Sequence, residues 1–208
     1  MTPAELLARG LADLCIPLPD GANAKLLAYL ELLAKWNKTY NLTAIREPGK
    51  MVSHHLLDSL AVIPYLAQGP VADVGSGAGL PGIPLAIAQP ARPISLNDSG
   101  HKKATFLNQA VIELGLDNVT VVHQRAEDWQ PHEKFACVIS RAFAELADLL
   151  NSSRHLVHPG GQFAAMKGVY PHEELARLPS GFRCDKVVAL DIPLVAAERH
   201  LVLCRQEF

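Results

Sequence analysis

Val71-Ala72-Asp73-Val74-Gly75-Ser76-Gly77-Ala78-Gly79-Leu80-Pro81-Gly82 is a short apolar run, broken by one acid, that empties into glycines. Such a run reads as a buried strand. The glycines after it allow a sharp turn toward a helix, with a backbone that a ligand can approach closely. Two ligand chemistries use a turn of this kind. Gly77, Gly79 and Gly82 match the dinucleotide spacing GxGxxG, and Asp98 lies near the distance at which that pattern places a ribose carboxylate. The dinucleotide pattern, however, wants its first glycine directly after the strand. Here Gly75 holds that place, the spacing from it is GxGxG, and Pro81 and Pro84 crowd the helix start.

Asp73 decides further. An acid just before the loop repels a pyrophosphate, which needs amide donors and no nearby negative charge. It suits a cation. S-adenosylmethionine carries an ammonium and a sulfonium and no phosphate, so Asp73, Gly75, Gly77 and Gly79 favour that cofactor. A glycine turn without any ligand is the plain alternative.

Working outward, apolar runs alternate with helical stretches. Strands are predicted at 71–74, 94–98, 119–122, 135–139 and 162–166, the last after the turn Pro159-Gly160-Gly161. Helices are predicted at 85–88, 102–114, 146–157 and 172–178. That alternation implies parallel pairing through right-handed crossovers. Two final strands, 186–190 and 200–205, have no helix between them and should form an antiparallel pair at one edge. Upstream, Thr2-Pro3-Ala4-Glu5 is a capping box with proline at the first helical position. Leu7, Leu11 and Leu14 follow on one face. Further helices are predicted at 22–38 and 51–63. The expected fold class is α/β: a Rossmann-like, class I S-adenosylmethionine-dependent methyltransferase fold. It has a seven-stranded, mostly parallel sheet with an antiparallel C-terminal hairpin, plus N-terminal helices. Residues 1–68 form the helical segment packed on the core, and residues 69–208 the core itself.

The 208 residues are 49% hydrophobic and 19% charged, which excludes disorder as the main state. No apolar run reaches the length of a membrane span, and Met1-Thr2-Pro3-Ala4-Glu5 has no basic region of a signal peptide. The four cysteines fit no CxxC spacing and read as reduced. A cytoplasmic protein is expected, with a monomer favoured. A net charge of -2 does not advertise nucleic-acid binding, though a local basic patch remains compatible with it.

The candidate site residues sit at strand ends. Asp98 can accept both ribose hydroxyls, or cap the next helix. Glu127 or Asp128 can hold an adenine amino group after the third strand, or stay solvated. Arg141 can fix a cofactor carboxylate or an acceptor phosphate, and Phe143 can stack on a base or join the core. Lys102, Lys103, Lys167, Arg199 and His200 can track phosphates, or be ordinary surface. Trp36 is read as packing, and His54 and Asp58 as an i,i+4 pair. The acceptor chemistry is bounded by what the fourth strand lacks. There is no Asn/Asp-Pro-Pro-aromatic turn for an exocyclic amine, and Cys137 sits mid-strand. His155-x-x-His158 has no carboxylate cluster to support a metal, and none is expected. A ring nitrogen such as guanine N7 loses no proton and needs orientation more than a base.

Six segments together carry a resemblance: Lys35-Trp36-Asn37, Tyr40-Asn41-Leu42-Thr43, His55-Leu56-Leu57-Asp58-Ser59, the glycine loop through Ile83-Pro84-Leu85, Ile139-Ser140-Arg141-Ala142-Phe143 and Glu198-Arg199-His200-Leu201. In order and spacing they resemble the bacterial small-subunit ribosomal RNA methyltransferase G family, also called glucose-inhibited division protein B. The resemblance spans about residues 35–205. It implies methyl transfer from S-adenosylmethionine to N7 of guanine 527 in the decoding region of 16S rRNA, within the 30S subunit. Loss of that mark is associated in the family with streptomycin resistance. By position it implies cofactor contacts at Gly75, Leu80, Ala126, Glu127 and Arg141, with Asp98 on the ribose. Asn97 and His101 depart from the family's usual residues, while Lys102 keeps its basic position. Arg141 is the expected orienting residue in a direct in-line attack. Methylation of another acceptor and a non-catalytic RNA-binding assembly role are the alternatives, with a nicotinamide oxidoreductase more distant.

Overall fold

The computed structural model describes residues 1–141, 143 and 145–207; Ala142, within the fourth-strand motif, lies outside them. Helix α1 (Pro3–Asp13) starts on the capping box as the sequence predicts, with Thr2 accepting from the Glu5 amide and Glu5 from the Thr2 amide. Helix α2 (Ala22–Tyr40) ends at Asn41 in the left-handed region. The third predicted helix is three pieces: α3 (Pro48–Met51), a π-helical stretch (Val52–Leu57) and α4 (Asp58–Leu60). In the π stretch the Asp58 amide reaches back to the Ser53 carbonyl. That widened register is why His54 and Asp58 do not pair as an ordinary helix would place them.

The remaining elements are β1 (Val71–Val74), α5 (Gly82–Ala88), β2 (Ile94–Asn97), α6 (His101–Leu114), β3 (Val119–Val122), β4 (Phe135–Ser140), α7 (Leu146–Ser153), β5 (Val157–Lys167), α8 (His172–Ala176), β6 (Phe182–Ala189) and β7 (His200–Gln206). Strands alternate with helices, except that β4 follows β3 and β7 follows β6 directly. The sheet order is β3-β2-β1-β4-β5-β7-β6. Pairing is parallel from β3 to β5, and β7 runs antiparallel to both β5 and β6. This is the expected class I methyltransferase fold. The last two strands form the expected antiparallel pair at one edge, with β7 next to β5 and β6 outermost. One detail differs from the sequence reading. Strand β5 starts at Val157, which pairs with Phe135 before residues 158–161 bulge out and Gln162 resumes opposite Cys137. The Pro159-Gly160-Gly161 turn is therefore a bulge within the strand.

The sheet is covered on both faces. Leu7, Leu26, Leu33, Leu56, Leu57 and Leu60 from the N-terminal helices join Ile83, Phe106 and Leu107 in one apolar cluster with the sheet residues Leu96 and Ile139. On the other face Leu146, Leu149 and Leu150 of α7 pack with Trp129, Phe163 and Phe182. Trp36 packs as expected, stacked on Tyr40 and edge-on to Phe106. The strand order reverses between β1 and β4, and the carboxyl ends of the strands there open a crevice.

Candidate functional site

Two cavities open at that edge. The first, about 740 Å³, is lined by Val74 and Gly75 after β1, Asn97 and Asp98 after β2, and Gln124, Ala126 and Glu127 after β3. Phe143 after β4 and Asp148, Asn151 and Ser152 of α7 complete it. Gly75 brings the start of the glycine loop to its wall. Gly75 and Ser76 both donate to the Asn97 carbonyl, at 2.8 and 2.9 Å, so the loop is sewn to β2. Gly79 has φ +86°, and a Cβ there would lie 2.4 Å from Ile83 Cδ1, so only glycine lets the loop pass over α5.

Asp98 binds backbone on both sides of the crevice. Its Oδ2 accepts from the Gly77 amide at 2.9 Å and its Oδ1 from the Gly100 amide at 2.8 Å, just ahead of α6. Lys103 Nζ stands 3.5 Å from Oδ2. The carboxylate thus latches the loop, closes the start of α6 and still faces the cavity. Asn97 donates to the Gln124 carbonyl at 2.9 Å and holds the end of β3 in place. Glu127 is half-exposed beside Arg125, and Ala126 is buried in the wall. Gly77, Gly79 and Leu80 lie in the loop behind the lining.

Asp73 lies beneath the loop and is fully buried. Its Oδ2 accepts from the Gly82 amide at 2.9 Å, while Oδ1 has no hydrogen-bond partner among the described residues. Burial pushes its carboxyl up to about 7. An orphaned acid under the cradle fits a ligand that brings positive charge, as S-adenosylmethionine does. Sequence reasoning missed Tyr29, whose hydroxyl donates to the Ala78 carbonyl at 2.6 Å and ties α2 to the same loop. It also missed Asp148, Asn151 and Ser152, although their i, i+3, i+4 spacing marks one polar face of α7.

The second cavity, about 350 Å³, gathers segments distant in sequence. Thr43, His54, His55, Asp58, Arg141, Lys167, Arg199 and His200 all line it. Asn37 brackets the loop after α2, donating to the Thr43 carbonyl and accepting from the Thr43 amide, both at 2.9 Å. That places the Thr43 hydroxyl 2.9 Å from His55 Nε2. His55 Nδ1 sits 3.1 Å from the His54 carbonyl, which can only accept, so Nδ1 carries the proton and Nε2 accepts from Thr43. Burial pushes His55 down to about 4, so the ring is neutral. Arg141 Nη1 donates to the His54 carbonyl at 3.0 Å and lies 3.4 Å from Asp58 Oδ2, while Arg199 Nε lies 3.1 Å from Asp58 Oδ1.

The expected site residues are therefore split. Gly75, Asp98, Ala126, Glu127, Lys103 and Phe143 line the first cavity, and Arg141, Lys167, Arg199 and His200 the second. Lys102 is exposed and lines neither. Lys167 is an ion-paired side chain, 2.7 Å from Glu174 and 3.4 Å from the Phe143 carbonyl, and it tethers the segment between the cavities. His155 and His158 each face a backbone carbonyl rather than one another. Among the described residues no cluster of His, Cys, Asp or Glu could hold a metal. No helix of the described residues is long and apolar enough to cross a membrane.

The family profile described as rRNA small subunit methyltransferase G (GidB) matches residues 22–202. The chain belongs to that family. Ribosomal RNA small subunit methyltransferase G of Aromatoleum aromaticum is 53% identical over 206 residues, covering 96% of this chain and 97% of the relative. Its counterpart in Chromobacterium violaceum is 54% identical over 197 residues and covers 94% of each. Among solved structures, the DhpI–SAH complex superposes with a TM-score of 0.58 at 18% identity, covering 89% of this chain and 97% of that one. A SAM-dependent methyltransferase from Aquifex aeolicus gives 0.58 at 18% identity, covering 83% and 97%. These two share the fold.

Proposed function

We propose that this chain is a methyltransferase of 16S rRNA, using S-adenosylmethionine to methylate N7 of a guanine in the decoding region of the small ribosomal subunit. The observation that carries the reading is the pair of cavities meeting at the end of β4, where Arg141 lines one and Phe143 the other. The first would seat the cofactor. Asp98 and Glu127 hold the nucleoside, Gly75 lets it approach the backbone, and Asp73 balances its positive charge. When bound, S-adenosylmethionine supplies a methyl group on a positively charged sulfur.

The second cavity would take the acceptor. Arg141 orients it, and Arg199, with His200 at the rim, meets the phosphate backbone. Phe143, two residues on in the wall of the first cavity, would offer a face for a base. Guanine N7 attacks in line with an in-plane lone pair and loses no proton, so the chain needs no general base. The side chains agree with that economy. Both ring nitrogens of His55 are engaged, and both oxygens of Asp58 face arginines.

The test is tritiated methyl transfer from S-adenosylmethionine to small subunits and to naked small-subunit RNA, both from a strain lacking this gene. Aniline-induced cleavage then maps the modified base. One labelled N7-methylguanine in the decoding region is the expected result. No label on either substrate, with the cofactor shown to bind, overturns the reading.

A further inference from the structure

We propose that Asp58 is a positioning residue that fixes Arg141 and Arg199 as one grip for the phosphate backbone of the acceptor RNA. The proposal rests on the rRNA reading above. Asp58 is nearly sealed from solvent, its side chain 4% exposed, against 27% and 23% for Arg141 and Arg199. Each carboxylate oxygen takes a different arginine. The two arginines come from separate parts of the sheet. Arg141 follows β4, Arg199 precedes β7, and β5 lies between those strands. Two guanidinium groups left to themselves would repel and turn apart in so poorly hydrated a place. One acid between them holds both at a single wall of the second cavity.

The surroundings complete the device. Asp58 directly follows the π-helical stretch, within which the His54 carbonyl is held toward Arg141 as a second fixed acceptor. Arg199 is braced by the Glu198 carbonyl at 2.8 Å. A guanidinium carries five N–H donors in a planar fork, so these contacts use a minority of them. Two positive charges against one negative leave the trio with a surplus that suits one phosphodiester. A buried ion pair is a poor device for stability alone, because apolar residues of the same volume do as well or better. Its use here is directional: it aims the forks.

The test compares the full chain with Asp58→Asn, Arg199→Gln and the double variant, in methyl transfer to unmodified small subunits over a range of salt. Asp58→Asn is expected to raise KM for subunits by about tenfold or more while cofactor affinity stays within about twofold. The plot of log(kcat/KM) against log salt should flatten by about one unit, as for loss of a phosphate contact. The double variant should fall clearly short of the product of the two single effects, since part of what the acid does runs through Arg199 and only its hold on Arg141 is left to lose. Wild-type KM and salt slope in Asp58→Asn, or effects that multiply in the double variant, overturn the proposal. Should Asp58→Asn fail to fold, Asp58→Glu decides. It keeps the charge but displaces it by one methylene, and an unchanged KM in it is equally adverse. If the wild-type chain labels no subunits, the rRNA reading falls, and the same variants are then compared in binding a single-stranded RNA oligonucleotide. Weaker, less salt-sensitive binding by Asp58→Asn upholds the grip, and binding equal to wild type overturns it.

Discussion

At the residue scale, Asp73 and Asp98 show one side-chain chemistry put to two uses by burial. Asp98 faces the first cavity with two amides on its oxygens, and Asp98→Ala is expected to weaken cofactor binding by about 1–3 kcal/mol. Titration calorimetry reads this directly, and unchanged affinity would remove Asp98 from the site. Asp73 is sealed, with a carboxyl pushed from its ordinary 3.8 up to about 7. Between those values the folded chain holds a proton that the unfolded chain has released. The Asp73 contribution to stability is therefore complete below the unfolded value and is lost as pH rises through 7. His55 runs the other way. Its folded value of about 4 lies below the ordinary 6.5, so its contribution is complete above 6.5 and lost as pH falls toward 4. Asp73→Asn keeps the shape and an oxygen for Gly82. Its Tm should exceed wild type near pH 8, and the margin should vanish near pH 4. Scanning calorimetry at both pH values checks this, and an equal margin at both would show that Asp73 does not titrate in this range.

At the element scale, α1 meets the π-helical stretch through Gly10. A Cβ on Gly10 would lie 2.2 Å from Leu57 Cδ1 and 2.8 Å from Cδ2, and Leu57 is itself fully buried. Alanine is the better helix former by about 1 kcal/mol, yet crowding of this kind costs about 1–3 kcal/mol. Gly10→Ala is thus expected to lower stability, and a rise in the urea midpoint would contradict the packing. Elements of this kind also show what a sequence can declare. The capping box at Thr2 and the glycines after β1 are local chemistry and could be read directly. The π stretch has no proline or glycine inside it to announce it. The bulge in β5 exists because Val157 finds Phe135 across the sheet, and β7 sits inside β6 because of partners that no local pattern names. The site divides the same way. Gly75 and Asp98 stand at strand ends and were legible. Asp58 was seen, but its partners lie 83 and 141 residues away, so its pairing with them was not.

At the scale of the whole molecule, one sheet is shared by two apolar faces. The N-terminal helices occupy the first and α7 the second. Trp36 reports on the first and Trp129 on the second. Because both clusters use the same strands, neither can melt alone without exposing the other. Single-tryptophan versions made by Trp36→Phe and Trp129→Phe should unfold at the same urea midpoint by fluorescence once the stability change of each substitution is allowed for. Separate midpoints would mean that residues 1–68 unfold as a body of their own. The sheet also sets the distance between the two cavities. Arg141 lines one and Phe143 the other, so two residues of chain mark the partition. A molecule that joins an adenosine-like head to a phosphate-bearing purine by a short tether would present each half to its cavity at high effective concentration. Two fragments, each weak alone, would then act as one tight blocker, and tether length would serve as a ruler for the partition.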